Sequence, residues 1–245
     1  MLYWLVTRKQ YAVECNVNHL PHMLIKHSSL LLRPLKDVDM QYQYNKITNL
    51  KLAIGRINNI IIPPGKIFSF WYLVGAPEKS KGYLKGLVLH NGSISYDYGG
   101  GLCQLGNLIY WMALHTPLSI AERWRHGYDV FPDVNRTLPF GSGATLAYNY
   151  IDLQLKNETD YTFQLTFDIS GDHLHGRILC SDILTVNYEV YEKEHFFSQE
   201  SWGGYTRHNV LCRKILNASS EAELADEKVA ENHAIMMYSP FLKNK

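Results

Sequence analysis

Cys103 follows three consecutive glycines, Gly99, Gly100 and Gly101, and opens a segment with helical patterning. A helix N-terminus favours the thiolate, because its unpaired N–H groups and its dipole stabilise negative charge. Glycines ahead of the cysteine admit close approach, either of other backbone or of a substrate. One reading is a nucleophile presented for attack; the other is a tightly packed strand-to-helix corner. A cysteine nucleophile also needs a base and a group to orient that base. His126 follows one helix and one connection later, and Asp129, Asp133 and Asp152 are the candidate orienters. Asp152 lies in Tyr150-Ile151-Asp152-Leu153, a strand-like run in which an acid is either on the exposed face or paired. The expected triad is Cys103 as nucleophile, His126 as general base and Asp152 as orienter. Backbone N–H groups near Cys103, together with Gln104, would hold an oxyanion. The opposing reading makes Cys103 a small buried apolar group. The glycines then serve packing, and Arg123-Trp124-Arg125 beside His126 form a local basic patch for an anion.

The elements that must position these residues follow from periodicity. Ile47, Leu50, Ile54, Ile57 and Ile61 recur as one apolar stripe, so a helix is expected over 45–61, with Asn45 as N-cap and Pro63-Pro64-Gly65 as its stop. Ile67 to Trp71 reads as a buried strand. Gly82 to Tyr98 reads as a hairpin turning at Asn91-Gly92. The helix from Cys103 to His115 ends at Thr116-Pro117 and is apolar nearly all round, which places it centrally. Gly106, Asn107 and Tyr110 share the cysteine's side of that helix. Beyond Leu118, β patterns dominate: Ser119–Trp124, Tyr128–Phe131, Ala144–Asn157, a hairpin around Ser170-Gly171-Asp172, and Leu184–Glu192. Ala218 to Asp226 is polar and reads as an exposed loop or short helix. The expected fold is α+β: a central helix beginning at Cys103, packed on a largely antiparallel sheet. Residues 1–40 are expected to be a helical segment packed on the core. Residues 41–245 are expected to form one domain, with a core over about 42–160 and a β-rich extension over 161–245.

Bulk properties exclude several classes. The net charge of +1 gives no broad attraction to nucleic acid or anionic membrane. The four cysteines are widely spaced, with no CxxC pair, which argues against a disulfide framework or a zinc site. His19, His22 and His27 are close in sequence, but Pro21 interrupts helical spacing, and they read as packing or surface residues. No metal and no cofactor is expected. The apolar run Met1–Val6 is too short for a signal core, and no later segment approaches about 18 apolar residues. A soluble cytoplasmic protein without a transmembrane segment is the expectation.

A further set of residues is familiar as a pattern. Pro64-Gly65-Lys66-Ile67-Phe68-Ser69-Phe70-Trp71, Gly82-Tyr83, Gly99-Gly100-Gly101-Leu102-Cys103-Gln104, Glu122-Arg123 with His126, Ala144-Thr145, and Ile151-Asp152-Leu153 with Asn157 together resemble the VanW family. The likeness spans about Tyr42 to Asn157. The segments Trp202–Asn209 and Glu231–Tyr238 are similar to the tail of its short, single-domain members. The resemblance implies a link to glycopeptide resistance or cell-wall metabolism. One position departs: family members commonly have Gly-x-Asp-Ala-Thr, where this chain has Gly141-Ser142-Gly143-Ala144-Thr145. An acid there is therefore no part of any triad in this chain, which either leaves Asp152 as the better third residue or argues against a triad altogether.

Two functions follow as expectations. The first is a Cys–His dependent hydrolase or acyltransferase acting on an amide bond, with a papain- or transglutaminase-like core and a peptidoglycan precursor as ligand. The second is a non-catalytic binding module for a peptide, glycan or protein partner. The ligand-contacting residues expected are Gly100, Gly101, Gln104, Asn107, Arg123, Trp202 and Tyr205. Sulfur exposure at Cys103 and its relation to His126 separate the two readings.

Overall fold

Asp39 accepts the Gln41 amide at 2.8 Å and caps the first helix. Asn59, with φ +62°, turns the chain out of it. The structure, a computed structural model, describes residues 8–32, 39–90, 92–132 and 137–240. The expectations placed on Met1–Val6, Arg33-Pro34, Asn91 and Asp133 lie outside the described residues.

The elements run β1 (His22–Leu30), α1 (Met40–Ile57), β2 (Ile60–Ile62), β3 (Ile67–Ser69), α2 (Phe70–Val74), β4 (Lys85–His90), β5 (Ser93–Tyr98) and α3 (Cys103–Leu114). They continue with β6 (Ser119–Glu122), β7 (Tyr128–Asp129), β8 (Gln154–Lys156), β9 (Phe163–Ser170), β10 (His173–Cys180), β11 (Val186–Gln199), β12 (Tyr205–Asn217) and β13 (Glu223–Met236). With 18% helix and 44% strand, mostly in antiparallel sheets, the chain is α+β as expected. No helix among the described residues is long and apolar enough to cross a membrane.

The chain divides into two compact units. The first draws on Met1–Val88, Tyr96–Trp124 and Gly143–Ile183, the second on Leu89–Ser95, Arg125–Ser142 and Leu184–Lys245. In the first unit one sheet has the order β1-β10-β9-β2 and another the order β3-β8-β6. Helix α3 packs on β1 and β10. It comes close because Gly176 of β10 offers no side chain, and a Cβ there would press on Met112 and Leu108 at 2.6 and 2.9 Å. Leu105, Leu108, Ile109, Tyr110 and Met112 are all buried, so the helix is central, as its all-round apolarity implies. The second unit is built on one sheet, β11-β12-β13-β7, whose three long strands pair antiparallel while β7 joins β13 in parallel.

Several expectations need correction. Residues 22–30, expected to be helical, form β1, paired along β10. A bulge between Met23 and Ile25 breaks the strand's alternation, which hides it from a period-2 reading. Helix α1 ends at Ile57, and Ile61 belongs to β2, so the last member of the apolar stripe faces β9 in a sheet. Asn45 is not the cap; it accepts from Gln41 and donates to Lys85 O. Phe70 and Trp71 begin α2 instead of extending a strand, because Ser69 caps the turn by accepting the Tyr72 amide. Between Ala144 and Asn157 only β8 is a named strand. The polar stretch 218–226 is a turn that enters β13 at Glu223.

Candidate functional site

The glycine run is filled by the chain itself. Gly99 and Gly101 take φ +77° and +93°, which a side chain rarely adopts. Gly100 meets Gly86 backbone to backbone, so a Cβ on either would run into the other. A Cβ on Gly99 would strike Pro77, and one on Gly101 would strike the Lys46 stem. Asn49 locks the corner: its Nδ2 donates to Gly100 O at 2.9 Å and Leu84 O at 3.0 Å, and its Oδ1 accepts the Leu84 amide at 2.8 Å. The close approach that these glycines allow is of the Gly86 backbone, the Pro77 ring and the Lys46 stem.

Cys103 is the first residue of α3, as expected, and is half-buried. Its thiol faces Leu146 O at 3.8 Å. Burial pushes the thiol's pKa above its ordinary value, outweighing the backbone hydrogen bonds at Leu146 and at the helix start, which work the other way. The Leu146 carbonyl accepts from the S–H. The sulfur is thus held in its protonated, poorly nucleophilic form at neutral pH.

Asp152 is buried and fully engaged. Its Oδ2 accepts from Ser69 Oγ at 2.5 Å and Gln154 Nε2 at 3.3 Å, and its Oδ1 accepts the amides of Trp71 at 3.0 Å and Leu153 at 2.8 Å. Glu122 completes the clasp by accepting the Asp152 amide at 2.8 Å and Gln154 Nε2 at 2.9 Å. Burial raises the Asp152 pKa; the hydrogen bonds lower it in part and Glu122 raises it. The carboxylate pins the start of α2 to the strand region before β8. Its exposed-or-paired ambiguity resolves as paired, with Ser69 and backbone amides as the partners.

Cys103 and Asp152 belong to the first unit, His126 to the second. Burial and then the Arg125 charge lower the pKa of His126, leaving the imidazole neutral at pH 7. The other expected contact residues have structural partners. Gln104 Nε2 donates to Ser29 Oγ and Leu30 O, each at 2.9 Å, and so ties α3 to β1. Asn107 Oδ1 accepts the Ala144 amide at 2.8 Å. Arg123 donates from Nε to Gly143 O at 2.9 Å and lies 4.7 Å from the centre of the Tyr110 ring. Trp202 sits in the turn between β11 and β12, 61% exposed, its ring folded over Gly204. Tyr205 opens β12, so the segment from Tyr205 to Asn209 is strand.

The second unit holds a buried polar cluster that sequence reasoning missed. Arg207 pairs with Asp129 at 3.3 Å, and both are nearly inaccessible. Tyr238 donates to the same Asp129 oxygen at 2.8 Å, and Arg207 Nε donates to His195 Nε2 at 2.9 Å. The Phe140 ring centre lies 4.2 Å from the Arg207 guanidinium and 3.7 Å from that of Arg125. Asn209 donates to Phe140 O and to Glu192 Oε1, and its cross-strand partner Asn232 donates back to Asn209 Oδ1 at 2.9 Å. Gly141, at φ +81°, leaves room for the Asn232 amide. The available signal was the inward alternation of Arg207, Asn209 and Leu211 along β12. The segment Glu231–Tyr238 pins the last strand, through Asn232 and Tyr238.

Comparison with known proteins fits the motif pattern. The family described as VanW like protein matches residues 45–179. The chain is 35% identical over 195 residues to the vancomycin B-type resistance protein VanW of Enterococcus faecalis (strain ATCC 700802 / V583), covering 80% of this chain and 71% of that protein. It is 24% identical over 139 residues to the uncharacterized protein YoaR of Bacillus subtilis (strain 168), covering 56% of this chain and 43% of that one. No solved structure matches it significantly. The family match covers more than half of the chain, and it includes the Cys103 corner and the Asp152 clasp: the chain belongs to the VanW-like protein family.

Proposed function

We propose that this protein acts in a glycopeptide or cell-wall response by binding, not by catalysis, and that it holds a peptidoglycan precursor. The observation that carries the reading is the Cys103 thiol: it is turned onto the Leu146 carbonyl and kept protonated by burial. The glycines before it are occupied by Gly86, Pro77 and Lys46, and the Asp152 carboxylate is committed to Ser69 and the amides of Trp71 and Leu153. On this reading the papain- or transglutaminase-like order of Cys103, His126 and Asp152 reflects ancestry and not present chemistry. Exposed aromatic rings in the second unit, Trp202 and Phe196, supply contact surface of the kind enriched at binding interfaces. The name of the Enterococcus relative, a vancomycin resistance protein, supports a wall precursor as the partner.

The test is calorimetric titration of a soluble muramoyl-pentapeptide precursor into the parent and into Cys103→Ser, with mass analysis of the peptide afterwards. Equal saturable binding with the peptide intact is expected. Cleavage or acyl transfer that disappears in Cys103→Ser overturns the reading in favour of a cysteine-dependent amide enzyme. Absence of binding removes the precursor as partner. Iodoacetamide labelling in a Cys15→Ser background, needed because Cys15 is exposed, is expected to be slow at Cys103 below pH 8 and unchanged by His126→Ala.

A further inference from the structure

His208 and His233 stand directly opposite each other on β12 and β13, their Nδ1 atoms 2.7 Å apart. What each ring does with its other nitrogen decides what that distance means. Ser198 Oγ donates to Glu200 Oε1 at 2.8 Å, so only its lone pairs remain for His208 Nε2, 2.7 Å away. His208 Nε2 therefore carries hydrogen. Glu231 Oε1 lies 3.4 Å from His233 Nε2, and a carboxylate only accepts, so that nitrogen carries hydrogen too. In their neutral forms both rings then aim a bare Nδ1 lone pair at the other. That arrangement is repulsive at 2.7 Å unless an electrophile sits between them, either a shared proton or a metal ion.

We propose that His208 and His233 form a cross-strand chelate for a divalent transition-metal ion such as Zn²⁺ or Cu²⁺, bound through both Nδ1 atoms. Imidazole nitrogen suits these ions. An oxygen acceptor on the far ring nitrogen is the arrangement that fixes the tautomer of metal-ligating histidines, and Glu231 and Ser198 supply one to each ring. Lys228, 2.9 Å from the other Glu231 oxygen, holds that carboxylate in place. Two bonds of about 2.0–2.1 Å at a tetrahedral metal set the nitrogens about 3.3 Å apart. The rings must therefore part by roughly half an ångström. The exposed His233 has the freedom to move, while His208 is held by stacking on Phe196, ring centres 4.6 Å apart. Among the described residues no third His, Cys, Asp or Glu completes the set, so water fills the remaining positions.

The test uses the full chain. Calorimetric titration with Zn²⁺ is expected to show one site that His233→Ala weakens at least tenfold. His208→Ala is expected to do the same. His173→Ala, which alters a different histidine pair, His173 with His175 at 5.9 Å, is expected to leave it unchanged. The Cu²⁺ complex is expected to show electron-paramagnetic coupling to two imidazole nitrogens in the parent and to one in His233→Ala. Because His233 is exposed, this variant is expected to fold normally, which its thermal midpoint checks. Equal Zn²⁺ affinity in parent and His233→Ala, or no binding by either, overturns the proposal and leaves a shared proton between the rings.

Discussion

The Asn107 side chain occupies the space that a Cβ on Gly143 would need, and its Oδ1 there accepts the Ala144 amide at 2.8 Å. In this chain a side chain at position 143 would compete with the Asn107 amide for the same space.

Gly143→Asp is therefore expected to displace Asn107 and break its bond to Ala144, costing about 1–2 kcal/mol. Asn107→Ala combined with Gly143→Asp is expected to cost less than the sum of the two single changes, because the first vacates the space needed by the second. Urea midpoints at constant m-value check this. Strict additivity would show that the two side chains do not compete.

The packing reading of the glycine run makes a sharper contrast. Gly100→Ala puts a methyl group into the Gly86 backbone, where nothing flexible can yield. A loss of about 3 kcal/mol or more, or failure to fold, is expected. Gly127→Ala, where a Cβ meets nothing within 4 Å, is expected to stay within about 0.5 kcal/mol of the parent. A Gly100→Ala protein of parental stability that had lost ligand affinity would return the run to a substrate-binding role.

Legibility in the sequence followed the range of the interactions. Helix α3 was readable at both ends, from Cys103 to the stop at Thr116-Pro117, because its signals are local. The β9–β10 hairpin was readable for the same reason, through Gly171 at its turn. Strand β1 was hidden by its bulge. The exposed start of β13, rich in charge, lacks the apolar face that marks a strand packed on a core. The site residues were readable as chemical types, but their partners were not. Leu146 for Cys103, Ser69 for Asp152 and Ser29 for Gln104 are each distant in sequence. Those partners decide whether a cysteine or an acid does chemistry or holds the fold.

Asp152 illustrates how pH reports such a role. Burial raises its folded pKa, so the folded chain still holds the proton where the unfolded chain has released it. Its contribution to stability therefore falls as pH rises from the ordinary carboxylate value of about 3.9 through the raised one. Asp152→Asn is expected to flatten the stability–pH curve in that window, and identical slopes in parent and variant would contradict the assignment. Asp152→Ala strands the Ser69 hydroxyl and two amides and is expected to cost about 2–4 kcal/mol, most at the acid end of that window.

The Arg207–Asp129 pair is the corresponding test in the second unit. Both side chains are almost wholly enclosed, so removing one takes away the opposite charge from the other inside the protein. Asp129→Ala is expected to cost about 3–5 kcal/mol, through the loss of the carboxylate paired with the Arg207 guanidinium and of the Tyr238 acceptor. Arg207→Met with Asp129→Leu replaces both charges by apolar groups and is expected to lose much less than either single change, since the desolvation of both ions is also removed. Salt separates this pair from surface ion pairs such as Lys228–Glu231, which is exposed and screened at high ionic strength. The Asp129→Ala penalty is expected to be nearly the same in low salt and in 1 M NaCl, a concentration at which the Debye length is about 3 Å. A penalty that disappeared in high salt would mean that water reaches the pair and that the cluster does not anchor the sheet.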